Sequence, residues 1–247
     1  MTNADTQPTS DSDSRAFASW RRNLAALLAP RQLHCEAATT SNSSTAAAAP
    51  PISAAQAAKY EKDLADAAKQ EEKEHARCER WKKKLLQSSP MIKFMMENLE
   101  RSGCPFREDH FRCTPCEITR AGGFAPEYGV ILCQNSFISK QHMEDTMAHE
   151  LIHAYDECTT KVDWNNAEHY ACSVIRAASL SGECKFTREL RRGFVSVAKH
   201  HQACVKRRAI AELKQLPQFQ GERVAEDAVR AVWDRCFADT SPFDEIP

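Results

Sequence analysis

The sequence predicts an α+β protein that is mainly helical, with a small β-sheet ahead of one central helix and disulfides bracing the chain. Three observations carry that expectation. Long stretches of good helix formers without Gly or Pro dominate the sequence, most clearly AAKYEKDLADAAKQEEKEHARCERWKKKLL. One clear β signal, GVILCQN, stands just before the helical segment KQHMEDTMAHELIHAYDE. Cysteines number 11, and setting aside Cys35 in a low-complexity tail leaves ten, an even number that suits five disulfides.

Residues 1–57 are rich in Ala, Ser, Thr and Pro and hold too few large apolar side chains to bury a core, so they read as a disordered tail. Within it, RAFASWRRNLAALLAPRQL at 15–33 can form a short basic amphipathic helix. Residues 58–102 read as a helical extension, one long helix ended by Pro90 and a second from Met91 to Leu99 that stops near Gly103. Residues 103–247 form the main domain. It opens with a loop-rich β element of four cysteines, and GVILCQN in it could be an edge strand on which an extended substrate pairs. Ser139 caps the central helix, a further helix runs from Asn166 to about Leu180 before Gly182, and Arg188–Arg208 and Gly221–Cys236 are helical again.

The 42% apolar fraction over 247 residues can supply a sizeable core. With 33 basic against 34 acidic residues, no net charge advertises general affinity for nucleic acid, and no nucleic-acid motif accompanies the basic KRRA cluster at 206–209. No apolar run reaches a spanning length, and the polar, acidic start MTNADTQPTSDSDS is unlike a secretory signal. A soluble or peripheral protein is expected, and disulfides without a secretory signal imply an unusual oxidising compartment.

The chemistry sits in HELIH. His149 and His153 are four residues apart, so a helix places them on one face about 6 Å apart along its axis, where both imidazoles can bind one zinc ion. Glu150, turned about 100° from His149, is poorly placed as a ligand and well placed to accept a proton from a water that the ion activates. Asp156, on the same face, is expected to orient a liganding imidazole from behind. For the third ligand the downstream candidates are Asp163, Glu168 and His169, with His169 favoured because imidazole is a common zinc ligand. Cys104, CTPC and Cys133 offer an alternative Cys₄ zinc site to disulfides.

HMEDTMAHELIHAYD, then VDW, HYACSVIRAASLSGEC, RRGF, HQACVKRRA and VWDRCFADTSPFDEIP, with CTPC, AGGF and ILCQN upstream, resembles the family of mitochondrial inner-membrane metalloproteases that mature subunit a of ATP synthase. The likeness covers roughly residues 78–247. It implies a zincin-like metalloprotease with one catalytic zinc, His149 and His153 as ligands and Glu150 as catalytic base. It also implies a peripheral protein on the intermembrane-space side of the mitochondrial inner membrane, folded there by disulfide formation. Its partners would be the precursor of ATP synthase subunit a, whose leader peptide it clips, and the membrane sector of ATP synthase, whose assembly it assists. Animal members carry a Ku-binding name, but nucleic acid is not an expected partner. Where the family has a glutamate before IRA, this chain has Val174. Either His169 completes an active site, or a weakened protease retains the assembly role.

Overall fold

The computed structural model describes residues 53–116, 120–185, 200–221 and 223–247. Most of the tail expected at 1–57, its basic helix at 15–33 and the RRGF stretch at 191–194 lie outside the described residues.

Helix α1 runs Ala54–Ser88, and the chain divides within it, between Glu74 and His75. Residues 53–73 are exposed, whereas the second half of the helix buries Cys78, Lys82 and Leu85, four and three residues apart on one face. Helix α2, Pro90–Arg101, repeats the pattern with Ile92, Met95 and Leu99. Ser89 ends one helix and starts the next: its hydroxyl accepts the Ile92 N–H, and Pro90 occupies the first helical position, where a missing N–H costs nothing.

Three short strands follow, β1 (Phe111–Thr114), β2 (Gly122–Ala125) and β3 (Gly129–Cys133). Their order is β1-β3-β2, with β3 parallel to β1 and antiparallel to β2. GVILC is therefore the central strand, buried along its length and paired on both sides: of the two readings that its sequence allows, an edge strand or a core strand, it is the core strand. A continuous apolar run is what a strand covered on both faces requires. The tight return into β3 depends on Gly129, whose φ is +82° and whose added Cβ would meet the His110 carbonyl oxygen at 2.3 Å.

The central helix α3, Lys140–Thr160, starts at Ser139, whose hydroxyl accepts the His142 N–H, and ends at Lys161 in the left-handed region. Helix α4 is Ala167–Leu180, capped by Asn166 on two backbone N–H groups. Helices α5, His200–Leu213, and α6, Val224–Ala238, complete the described α-helices, and short 3-10 turns stand at Glu108–His110 and Pro217–Phe219.

Two apolar clusters organise residues 75–247. The first gathers Leu85, Met95, Leu99, Val130, Met147 and Leu151, and the second Tyr170, Val174, Val205, Ala209, Val229 and Val232. The α2 helix and the second half of α1 share the first cluster with the sheet and α3, across the boundary expected at 102/103, and the chain divides instead between Glu74 and His75. The amphipathic faces of these helices need the main domain to bury them.

Ten cysteines pair as Cys78–Cys113, Cys104–Cys158, Cys116–Cys133, Cys172–Cys236 and Cys184–Cys204. The five disulfides expected from the count are formed, and the Cys₄ alternative is not, since Cys104 and Cys113 bond to partners outside that set.

Candidate active site

Helix α3 holds His149 and His153 one turn apart, both buried, with their Nε2 atoms 3.1 Å apart. Glu212, near the end of α5, closes the group: Oε2 lies 3.3 Å from His149 Nε2, and Oε1 lies 3.8 Å from His153 Nε2. Four atoms around one tetrahedral ion at bonds of about 2.0 Å would be about 3.3 Å from one another. Two imidazoles and a carboxylate, each offering an atom within 4.8 Å of the others, fit a metal in donor type and in spacing. His149, His153 and Glu212 are the residues that would hold it.

Both imidazoles are held from behind. His149 Nδ1 lies 3.1 Å from Glu183 Oε1, and Glu183 is in turn paired with Arg208. His153 Nδ1 lies 2.7 Å from Ser173 Oγ, which donates to Asp156 Oδ2 at 2.8 Å. Asp156 thus reaches an imidazole as its position suggested, but through a serine from α4. With each Nδ1 engaged, both Nε2 atoms are left to face the ion.

The structure does not bring His169 to this group. It lies in the exposed first turn of α4, where its Nδ1 accepts the Asp163 N–H at 3.3 Å. Asp163 accepts the Asn165 N–H, and Glu168 occupies the same exposed turn, so all three downstream candidates belong to the start of α4. The side of α4 that meets α3 carries Ser173 instead. Val174 is fully buried in the second apolar cluster and offers no ligand. The carboxylate comes from α5.

Glu150, also buried, sits beside β2. A Cβ added at Gly122 would come within 3.6 Å of Glu150 Oε1, so the missing side chain at that strand position leaves room for the carboxylate. Burial raises the Glu150 pKa to about 7 in the metal-free site, against a smaller opposing pull from His149. Burial and the charge of His149 together lower His153 to about 3. At His149 burial is outweighed by Glu212 and Glu183, which push its pKa well above the ordinary value. Burial likewise acts upward on Glu183, but His149 and Arg208 carry it down to about 2, and Glu212 is lowered by His149 in the same way. Two carboxylates held ionised beside the imidazoles favour positive charge within the group, a proton on His149 or a cation in its place.

Residues 76–244 match the model of the Peptidase M76 family. The chain belongs to that family. As an M76 peptidase it is a protease, and its relatives carry consistent names. A mitochondrial inner membrane protease, atp23, of Aspergillus clavatus is 49% identical over 172 residues, covering 69% of this chain and 73% of the relative. Proteins of the same name from Malassezia globosa and Yarrowia lipolytica are 46% and 42% identical, covering 68% and 79% of this chain and 76% and 78% of theirs. No solved structure matches.

Glu212, Glu183 and Ser173 carry no motif of their own in the sequence, and Arg208, part of the basic KRRA cluster, pairs with Glu183. Glu183 carried a faint signal, a carboxylate between a glycine and a half-cystine in SGEC. Glu212 carried none, lying in the ordinary helical pattern AIAELKQL.

Proposed function

We propose that this M76 peptidase is a zinc metalloendopeptidase of the mitochondrial intermembrane space, peripheral to the inner membrane. In this reading it removes the leader peptide of ATP synthase subunit a and assists assembly of the membrane sector of that enzyme. The observation that carries the catalytic part is the convergence of His149, His153 and Glu212 with Glu150 one residue along the same helix.

A zinc ion in this group would polarise the scissile carbonyl and lower the pKa of an attacking water. Glu150 takes a proton from that water as its oxygen bonds to the carbonyl carbon, then delivers a proton to the leaving nitrogen as the C–N bond breaks. Burial, which lifts this carboxyl above the ordinary carboxylate range, suits it to both accepting and delivering a proton. In this reading the substrate runs along β2, which stands at an edge of the sheet. An extended chain paired there passes Glu150, which lies against Gly122.

Two observations support this compartment: the relatives are named mitochondrial inner membrane proteases, and five disulfides suit an oxidising space. Among the described residues no helix is long and apolar enough to cross a membrane, in keeping with peripheral attachment. Val174 favours the second reading, an assembly factor with weakened proteolysis, but the carboxylate that Glu212 brings to the histidines favours the active enzyme.

Glu150→Gln tests the mechanism. Hydrolysis of a subunit a leader peptide is expected to fall by at least about a thousandfold while one zinc per chain stays bound and membrane-sector assembly continues. Cleavage at the normal rate by that variant would refute the role of Glu150.

A further inference from the structure

The buried polar contacts behind His153 continue past Asp156 to the C-terminal segment. Ser173 Oγ has one proton and gives it to Asp156 Oδ2 at 2.8 Å. It therefore meets His153 Nδ1, 2.7 Å away, as the acceptor of Nδ1–H. That tautomer turns the Nε2 lone pair of His153 toward His149 and Glu212.

Asp156 is buried in turn, and its other oxygen accepts Arg176 Nε–H at 2.9 Å. The rest of the guanidinium points away from the site. Nη1 donates to the Asp239 carbonyl at 2.9 Å and lies 2.6 Å from the Asp239 carboxylate, and Nη2 donates to the Ser241 carbonyl at 2.5 Å. A few residues on, Phe243 stacks on Phe94 of α2 with ring centroids 4.8 Å apart. The planar fork of arginine serves three directions at once, which a lysine ammonium on a flexible stem does not reproduce.

We propose that Arg176 is a positioning residue of the metal centre: held by the backbone of Asp239 and Ser241, it fixes Asp156 and, through Ser173, the tautomer and aim of His153. A buried ion pair is a poor device for stability alone, since apolar side chains of similar volume do as well or better. Apolar side chains cannot, however, fix the protonated nitrogen of an imidazole, and this network does. The inference rests on the metal reading above, and the test separates the two.

The full-length oxidised protein and its Ser173→Ala, Ser173→Thr and Arg176→Gln variants are titrated with zinc against a chelator. The tautomer of His153 is read in the metal-free proteins from histidine ¹⁵N shifts. Wild type is expected to show Nδ1–H at His153. Ser173→Ala and Arg176→Gln are expected to bind zinc about 10- to 100-fold more weakly with a mixed tautomer, and Ser173→Thr, which keeps the hydroxyl, within about threefold of wild type. Should Arg176→Gln fail to fold, Arg176→Lys takes its place, with zinc binding weakened to the same degree because an ammonium does not serve the three directions. Wild-type zinc affinity in Arg176→Gln or in Ser173→Ala, or an Nε2–H tautomer in wild type, would overturn the proposal. Failure of wild type to bind zinc would instead overturn the metal reading.

Discussion

Glu150 shows how one residue trades stability for chemistry. Burial lifts its pKa from 4.5 to about 7, so ionising it costs the metal-free fold up to about 3 kcal/mol. The unfolded chain loses its proton near 4.5 while the folded chain keeps it to about 7, so wild type loses stability as pH rises through that window. Glu150→Gln carries no such penalty. Denaturant midpoints in chelator are expected to coincide below pH 4 and to favour the variant increasingly up to pH 7 and above. Equal midpoints at pH 8 would refute a buried, strained carboxylate. His149, Glu150 and His153 were legible in the sequence because a spacing of four on a helix leaves only one face for the pair. Glu212 was not, because its place depends on how α5 packs against α3, and no local pattern encodes that. His169 has a residue type that suits zinc, but at the start of α4 its imidazole accepts the Asp163 N–H of the preceding loop.

Among the elements, the sheet was the least legible. A run of apolar residues marked β3, but β1 and β2 have four residues each and β2 begins with two glycines, too little pattern to signal a strand. Which strand lies at the edge depends on pairing order, so GVILCQN alone suits an edge strand and a core strand equally. The helices were read from their caps and periodicity, with Ser139 and Asn166 at the starts expected for them. The two glycines of β2 make opposite demands. A Cβ at Gly122 would lie 2.8 Å from both the Ile131 carbonyl oxygen and Thr146 Cγ2, whereas Gly123 is open. Gly122→Ala is expected to destabilise the fold by about 1–3 kcal/mol and to lower turnover, with Gly123→Ala close to wild type in denaturant midpoint and cleavage rate. Similar behaviour of the two variants would contradict the placement of β2 between β3 and Glu150.

Over the whole molecule, disulfides tie the residues behind the histidines to the scaffold. Cys172–Cys236 joins α4 to α6 beside Ser173, and Cys184–Cys204 joins α5 to the segment carrying Glu183. The cysteine count suggested five bridges, but which cysteines meet is a property of the folded chain alone. Replacing Cys172 and Cys236 together by Ser opens a 64-residue link, an expected loss of about 4 kcal/mol, against about 3 kcal/mol for the 20-residue link of Cys184 and Cys204. Unfolding midpoints of the two double variants check that order. The union of α3 with α5 at one metal ion is tested most directly by zinc K-edge absorption of the zinc-loaded protein. Two imidazoles with oxygen ligands around the zinc, lost in Glu212→Gln and unchanged in His169→Ala, is the expected result. Three imidazoles, or an unaltered zinc site in Glu212→Gln, would contradict it.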